Sequence, residues 1–251
     1  MLNNCVIIPA RYESKRLFGK PLYKLNNGKS LLKMTLDQIK KKIKLENIYV
    51  CTDNYLVEKE IENYLINKPI IIKRNCINGT ERASYALTRI KKKYDYATIV
   101  SCDMPFIDPN VINYIERKSK LIKNKYADGF TIHCRVKNEE TYKNKSIAKI
   151  VLTNSNKILY LSRGAIPNTK NFKATKIFSH HGIVMLRWNV LKNYKKLSNC
   201  KLQISEDNEW LKLIENDFTI KSFIYKNLKP EINTKSDLDK IYKLKNFRFA
   251  K

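Results

Sequence analysis

Between Ile7 and Leu25 the chain reads IIPARYESKRLFGKPLYKL, an apolar burst ending at Pro9 and followed by Arg11, Lys15, Arg16 and Lys20 around one glycine, Gly19. Four cations at the mouth of a strand, a glycine that permits close backbone approach, and Lys20 set before Pro21 make a loop able to enclose a polyphosphate. The run is neither a GxxxxGK[ST] phosphate loop nor a glycine fingerprint for dinucleotides. Lys20 and Arg16 are expected to lie in a polar loop. A second chemical candidate is Asp103, which ends the apolar run ATIVSC; a carboxylate there can hold Mg2+ between protein and phosphate oxygens. A third is NGTERA, Asn78 to Ala83, where a helix start near Gly79 suits an anion. His180 and His181 in SHHGI read, by themselves, as structural strand residues more readily than as site residues.

These groups need a scaffold, and the apolar pattern supplies one. CVIIP, NIYVC, PIIIKR and ATIVSC are short apolar runs, each followed by a segment of helical period: SLLKMTLDQIKKK, NYLVEKEIENYLI, GTERASYALTRIKKK and DPNVINYIERKSK. Four successive β-then-α units predict an α/β fold with a parallel sheet covered by helices on both faces. Ligands of such sheets collect at the carboxyl ends of the strands, which puts the loop after Pro9 and the loop after Cys102 on one rim. After about residue 126 the rhythm changes: GFTIHCRV, SIAKIVL, KILYLSR and IFSHHGIVMLR read as strands with little helix between them, extending the sheet or forming an arm. A helix over EDNEWLKLIEN, a strand TIKSFIY and a last helix from about Lys235 follow. With no repeat and no linker-like segment, a single domain over residues 1–251 is expected.

The formal net charge is +27, and Lys outnumbers Arg 40 to 10 while recurring along most of the chain. Nucleic-acid binders cluster their cations to neutralise a phosphate backbone, so this dispersed excess argues against a nucleic-acid partner and leaves an anionic small substrate fully compatible. No apolar stretch approaches the roughly 20 residues that span a bilayer, so no membrane insertion is expected, and the N-terminus lacks signal-peptide regions; the cytoplasm is the expected compartment. Six cysteines without a CxxC pair predict reduced thiols, with Cys5, Cys51 and Cys102 acting as small hydrophobes.

The run IIPARYESKRLFGKPL resembles the signature of sugar nucleotidyltransferases that activate acidic sugars with CTP, especially the CMP-Kdo synthetase (3-deoxy-manno-octulosonate cytidylyltransferase) family, whose run is close to IIPARYxSxRLPGKPL. NGTERA is similar to that family's SGTER, and SCDMPFI stands in the place of a segment like QGDEP. Weaker similarity runs through AKIVL, LYLSRGAIP, HHGI and EWLKLIEN to INTKSDLDKI, covering almost the whole chain.

The resemblance implies a Rossmann-like nucleotidyltransferase sheet of GT-A type. It also implies magnesium-dependent transfer of CMP from CTP to an acidic sugar, and a homodimer. A nucleotide-binding half of about 1–125 would precede a sugar-binding and dimerisation half of about 126–251 with a smaller β-rich subregion. By motif position, Arg11, Arg16 and Lys20 would hold the triphosphate and act in catalysis with Asp103. Arg74, Gly79, Thr80 and Arg82 would help seat the nucleotide, and the backbone of Pro9 and Ala10 would read the cytosine. Ser101, Arg163, His180 and Glu209 would bind the sugar acid, with Arg163 offering a bidentate fork to its carboxylate. Asp103 and Asn233 would hold Mg2+.

The chain departs from the family pattern at several of these places. Asn233 replaces an Asp, and Ser101, Val184 and Trp210 stand where the family has Gln, Tyr and Gln. The departures at the sugar positions keep amino-Kdo and nonulosonic acids open as alternatives to Kdo. Asn233 and the altered pocket together keep a noncatalytic nucleotide-binding homologue open.

Overall fold

The computed structural model describes residues 2–13, 17–122, 127–229, 231–232 and 234–243. Strands β1 (Asn4–Ala10), β2 (Ile48–Thr52), β3 (Ile70–Ile71) and β4 (Tyr96–Val100) are parallel, with β1 between β2 and β4. Helices α1 (Leu31–Ile39), α2 (Tyr55–Ile61), α3 (Gly79–Ala86) and α4 (Val111–Leu121) alternate with them. The first strand shows why the sheet must be covered on both sides. Cys5 and Ile7 pack in one apolar cluster and Val6, Ile8 and Ala10 in another, with all five fully buried. Leu32 and Leu36 of α1, Val57 and Ile61 of α2, and Ile112 and Ile115 of α4 cover the second face, while Ala83 and Ala86 of α3 cover the first.

The second half extends the same sheet. β5 (Gly129–Arg135) is followed by α5 (Glu139–Lys143) and the β6 (Lys149–Leu152) and β7 (Ile158–Ser162) hairpin. The long β8 (Phe178–Arg187) comes next, then α6 (Trp188–Tyr194), α7 (Lys201–Glu206), α8 (Leu211–Glu215), β9 (Ile220–Ile224) and α9 (Lys235–Lys243). The sheet order is β3-β2-β1-β4-β8-β5-β9, with β6 and β7 attached through β8. β8 is antiparallel to both β4 and β5, so β5 points the same way as β1 and β4. The carboxyl ends of β1, β4 and β5 therefore share one rim with the beginning of β8. The chain moves outward from β1 to β2 and β3 and then returns to the other side of β1 as β4, and this reversal opens a crevice between the loops after β1 and β4.

Two expected elements differ. The strand expected over PIIIKR is reduced to Ile70–Ile71 at the sheet edge. The single helix expected over EDNEWLKLIEN is broken, because Asp207 closes α7 in the left-handed region at φ 46° and Asn208 Oδ1 accepts from Trp210 N–H at 3.2 Å to lead into α8.

Candidate active site

A cavity of about 1380 Å³ opens on that rim, lined by residues of the β1 and β4 loops, the end of β5 and the start of β8. The loop after β1 is held from below. Asp53, just past β2, accepts from Tyr12 N–H at 3.0 Å through Oδ1 and from Arg82 Nη2 at 2.9 Å through Oδ2. The other arm of Arg82 donates to Ile72 O at 2.9 Å. The loop closes on itself where Gly19, at φ 65°, donates its N–H to Tyr12 O at 3.1 Å, a backbone conformation that favours glycine.

Lys20 follows directly and is buried, contrary to the expectation of a polar loop. Its Nζ meets Oδ2 of Asp103 in an ion pair, joining the loops after β1 and β4. Asp103 is fixed by its backbone: Cys102 O accepts from Thr35 Oγ1 at 3.1 Å, and Asp103 O accepts from Ile232 N–H at 3.0 Å. Its Oδ1 is buried and has no hydrogen-bond partner among the described residues. A buried carboxylate oxygen with an open lone pair beside a lysine suits a hard cation such as Mg2+. Among the described residues no group of three or more His, Cys, Asp or Glu side chains is arranged as a metal cage. Arg11 and Pro9 line the same cavity. Arg16 and Asn233, both expected at the site, lie outside the described residues.

The amino end of α3 carries an anion, but it is the chain's own. Asn78 caps the helix, accepting from Glu81 N–H at 2.8 Å, and Gly79 approaches β1 so closely that a Cβ there would lie 3.0 Å from Pro9 Cγ. Glu209 then accepts from Thr80 N–H at 3.2 Å and from Thr80 Oγ1 at 2.7 Å. Burial raises the Glu209 pKa, and the hydrogen bonds from Thr80 and Gly79 only partly oppose the rise. Glu209 lines the cavity, yet both its oxygens are committed to Thr80.

Several expected contacts are thus replaced by positioning roles. Thr80 and Arg82 are buried behind the cavity wall, where they hold Glu209 and Asp53. Ala10 is buried at the end of β1 while Pro9 reaches the wall. Arg74 is exposed, with its guanidinium 5.0 Å from the Tyr85 ring centroid. Arg163 lines the cavity, but its fork is occupied within the chain: Nε donates to Glu206 O at 3.2 Å, Nη1 to Ser146 O at 3.2 Å, and Nη2 to Asp207 O at 3.1 Å and to Asp207 Oδ2 at 3.3 Å. The buried Lys149 braces the same turn, donating to Asn144 O, Ile147 O and Arg163 O at 2.8, 2.6 and 2.9 Å.

Ser101 and His180 do reach the cavity. His180 lies edge-on to Trp210 with ring centroids 3.9 Å apart, and its Nε2 is buried without a partner among the described residues. Burial, aided by the neighbouring His181 and Arg163 charges, holds its pKa well below the ordinary histidine value, so the imidazole is neutral at pH 7. Val184, by contrast, is in the core and does not line the cavity.

Three further cavity residues carried no readable signal beyond the paired histidines: Cys134 at the end of β5, His181 on β8 and Glu231. Cys134 Sγ lies 3.4 Å from His181 Nε2, and His181 Nδ1 lies 3.7 Å from Glu231 Oε1.

The sequence model of the family described as Cytidylyltransferase matches residues 5–245. The chain is 32% identical over 240 residues to a 3-deoxy-manno-octulosonate cytidylyltransferase of Protochlamydia amoebophila, covering 94% of this chain and 91% of that protein. It is 28% identical to an 8-amino-3,8-dideoxy-manno-octulosonate cytidylyltransferase of Shewanella pealeana, covering 94% and 96% of the two chains. Among solved structures, CMP:2-keto-3-deoxy-manno-octonic acid synthetase complexed with CTP superimposes with a TM-score of 0.84 at 25% identity, covering 96% of this chain and 97% of that one. The inositol-1-phosphate CTP transferase from T. maritima shares the fold at a TM-score of 0.65 and 15% identity, covering 96% and 94%. A crevice at the sheet's switch point, a buried Lys20–Asp103 pair and a family match spanning nearly the whole chain lead to one assignment: this chain belongs to the cytidylyltransferase family.

Proposed function

We propose that this protein transfers CMP from CTP to a 3-deoxy-2-ulosonic acid, Kdo or a close relative, with release of pyrophosphate. The observation that carries the reading is the Lys20–Asp103 pair, which places one cation and one carboxylate with a free oxygen at the crevice where a nucleotide's phosphates would lie. In the reaction, the anomeric hydroxyl oxygen of the sugar acid forms a bond to the α-phosphorus while the bond from that phosphorus to the bridging oxygen of pyrophosphate breaks. Arg11 and Lys20 neutralise charge that grows on the phosphate oxygens, and fixed cations do so without reorganising during the step. The Asp53–Arg82 clamp keeps the loop that carries them in place. His180, neutral and unpartnered at Nε2, can donate to or accept from a sugar hydroxyl at the far side of the cavity.

Mg2+ would be held by Asp103 and, by motif position, Asn233, and when bound it supplies further charge neutralisation at the phosphates. The likeness to relatives named for Kdo and for its 8-amino derivative supports an octulosonic acid as acceptor. We also propose a homodimer formed through the β-rich second half, a reading supported by exposed Leu159 on β7 and Ile224 on β9. The test is pyrophosphate release with CTP, UTP, ATP and GTP in turn, each combined with Kdo, 8-amino-Kdo and a nonulosonic acid. Turnover confined to CTP with an octulosonic acid is the expected result. CTP binding by calorimetry with no turnover under any condition would favour the noncatalytic alternative.

A further inference from the structure

On the wall of the same cavity, the pairing of β5 with β8 creates a second chemical cluster. Cys134 pairs with Ser179 and His133 with His180, after a register shift between Thr131 and His133. Alternation along β8 puts Ser179 and His181 on one face, and both reach the Cys134 sulfur: Ser179 Oγ at 3.1 Å and His181 Nε2 at 3.4 Å. The other imidazole nitrogen faces Glu231, at an ion-pair separation longer than a hydrogen bond, and Glu231 Oε1 is itself held by the Gly182 N–H at 2.7 Å. Cys134, His181 and Glu231 all line the cavity. A thiol against an imidazole that is oriented by a third, acidic group is the arrangement that activates a cysteine nucleophile.

We propose that Cys134 is an activated thiol and a modification site for soft carbon electrophiles and hydroperoxides, with His181 as its base and Glu231 as the group that orients the imidazole. The other cysteines are built differently. Cys5, Cys51, Cys76 and Cys102 are buried, and burial raises their thiol pKa values. Cys200 is half-buried like Cys134, but burial and Glu215 raise its thiol. At Cys134 burial also acts to raise the pKa, but it is outweighed by His181, Ser179 and Lys137, and the net direction is down. With a hydroperoxide, the thiolate sulfur attacks one oxygen, an S–O bond forms as the O–O bond breaks, and the sulfur is oxidised by two electrons to a sulfenic acid. The hydroxide released from hydrogen peroxide takes the proton held on His181 and leaves as water. With iodoacetamide, an S–C bond forms as the C–I bond breaks and iodide departs. Either adduct projects into the cavity and would obstruct an acceptor bound there, a consequence that rests on the proposed function; the reactivity itself does not.

The test treats the native full-length protein with limiting iodoacetamide at pH 7 and follows each of the six cysteines by peptide mass spectrometry. Cys134 should react several-fold faster than Cys200, because His181 favours its thiolate while the surroundings of Cys200 disfavour one. His181→Asn should bring the Cys134 rate down to that of Cys200 in protein whose circular dichroism is unchanged. Equal rates for Cys134 and Cys200 in the wild type would overturn the proposal whether or not the variant folds, as would an unchanged Cys134 rate in folded His181→Asn protein. Pyrophosphate release measured on the same samples should fall in step with Cys134 labelling. Full labelling with activity retained would remove the obstruction claim and leave the thiol chemistry intact, whereas absence of activity before labelling would count against the functional reading alone.

Discussion

The ammonium of Lys20 and the carboxylate of Asp103, separated by 83 positions in sequence, form a buried ion pair that ties the loop after β1 to the loop after β4. Side chains in a pair this enclosed do not act independently. Removing one leaves the other charged and desolvated, a change that typically costs about 3–5 kcal/mol. Lys20→Ala should therefore lower the melting temperature as well as turnover, and Lys20→Ala combined with Asp103→Asn should be closer to wild-type stability than the sum of the two single changes. Chemical denaturation of the four proteins checks this; additive losses would mean that the two groups are not coupled.

Arg82 acts on the loop after β1 through Asp53 without lining the cavity. Replacing it with Met keeps most of the apolar stem but removes the donors to the half-buried Asp53 and to the buried Ile72 O, and a buried acceptor left unpaired costs about 1–3 kcal/mol. Asp53→Asn is the milder change, because an amide oxygen still accepts from Tyr12 N–H. The expected outcome is a graded series in urea stability and in KM for the nucleotide, with Arg82→Met affected more than Asp53→Asn. Equal effects on both quantities would argue against the clamp.

Glu209 makes a prediction about pH. Burial raises its folded-state pKa above the ordinary carboxyl value of 4.5, so over the interval between the two values the folded chain keeps a proton that the unfolded chain has released. Stability from this group is full at the acid side of the interval and is lost as pH rises through the folded pKa. Glu209→Gln cannot titrate and should lack that slope. Melting temperatures of both proteins from about pH 4 to about pH 8 should show the wild type losing ground to the variant as pH rises; parallel curves would place the Glu209 carboxylate in a less desolvated setting.

Asn233 and Asp103 make a directional prediction about the metal. Asn233→Asp adds a carboxylate where the family pattern has one and should lower the Mg2+ concentration giving half-maximal activity, while Asp103→Asn should raise it. A Mg2+ requirement unchanged by Asn233→Asp would remove residue 233 from the metal.

What could be read from the sequence was whatever the chain stores contiguously. The parallel core was visible because β1, β2 and β4 are buried on both faces and are apolar apart from Asn4, Thr52 and Thr98, and the cationic loop after β1 because its charges lie within one short run. Asp103 was placed because it ends the apolar run that forms β4. Helix α3 turns Arg82 and Thr80 inward, and the motif spacing that names them says nothing about the direction of a side chain. Glu209 was expected at the sugar, but it comes from a different element than α3, and only the fold shows that it closes the amino end of that helix. Cys134, His181 and Glu231 come from β5, β8 and a distant segment, and the β5–β8 register shift decides which faces meet, so no local pattern announces them.

The central claim, that the Lys20–Asp103 crevice transfers CMP from CTP to an octulosonic acid, is tested most directly by one coupled assay. Purified wild-type protein is incubated with Mg2+, CTP and Kdo or 8-amino-Kdo, and both pyrophosphate and the CMP-sugar are quantified. Equimolar appearance of the two products, dependent on the sugar acid and lost when UTP replaces CTP, is the predicted result. Turnover with UTP equal to that with CTP, or CTP binding without either product at any Mg2+ concentration, would contradict it.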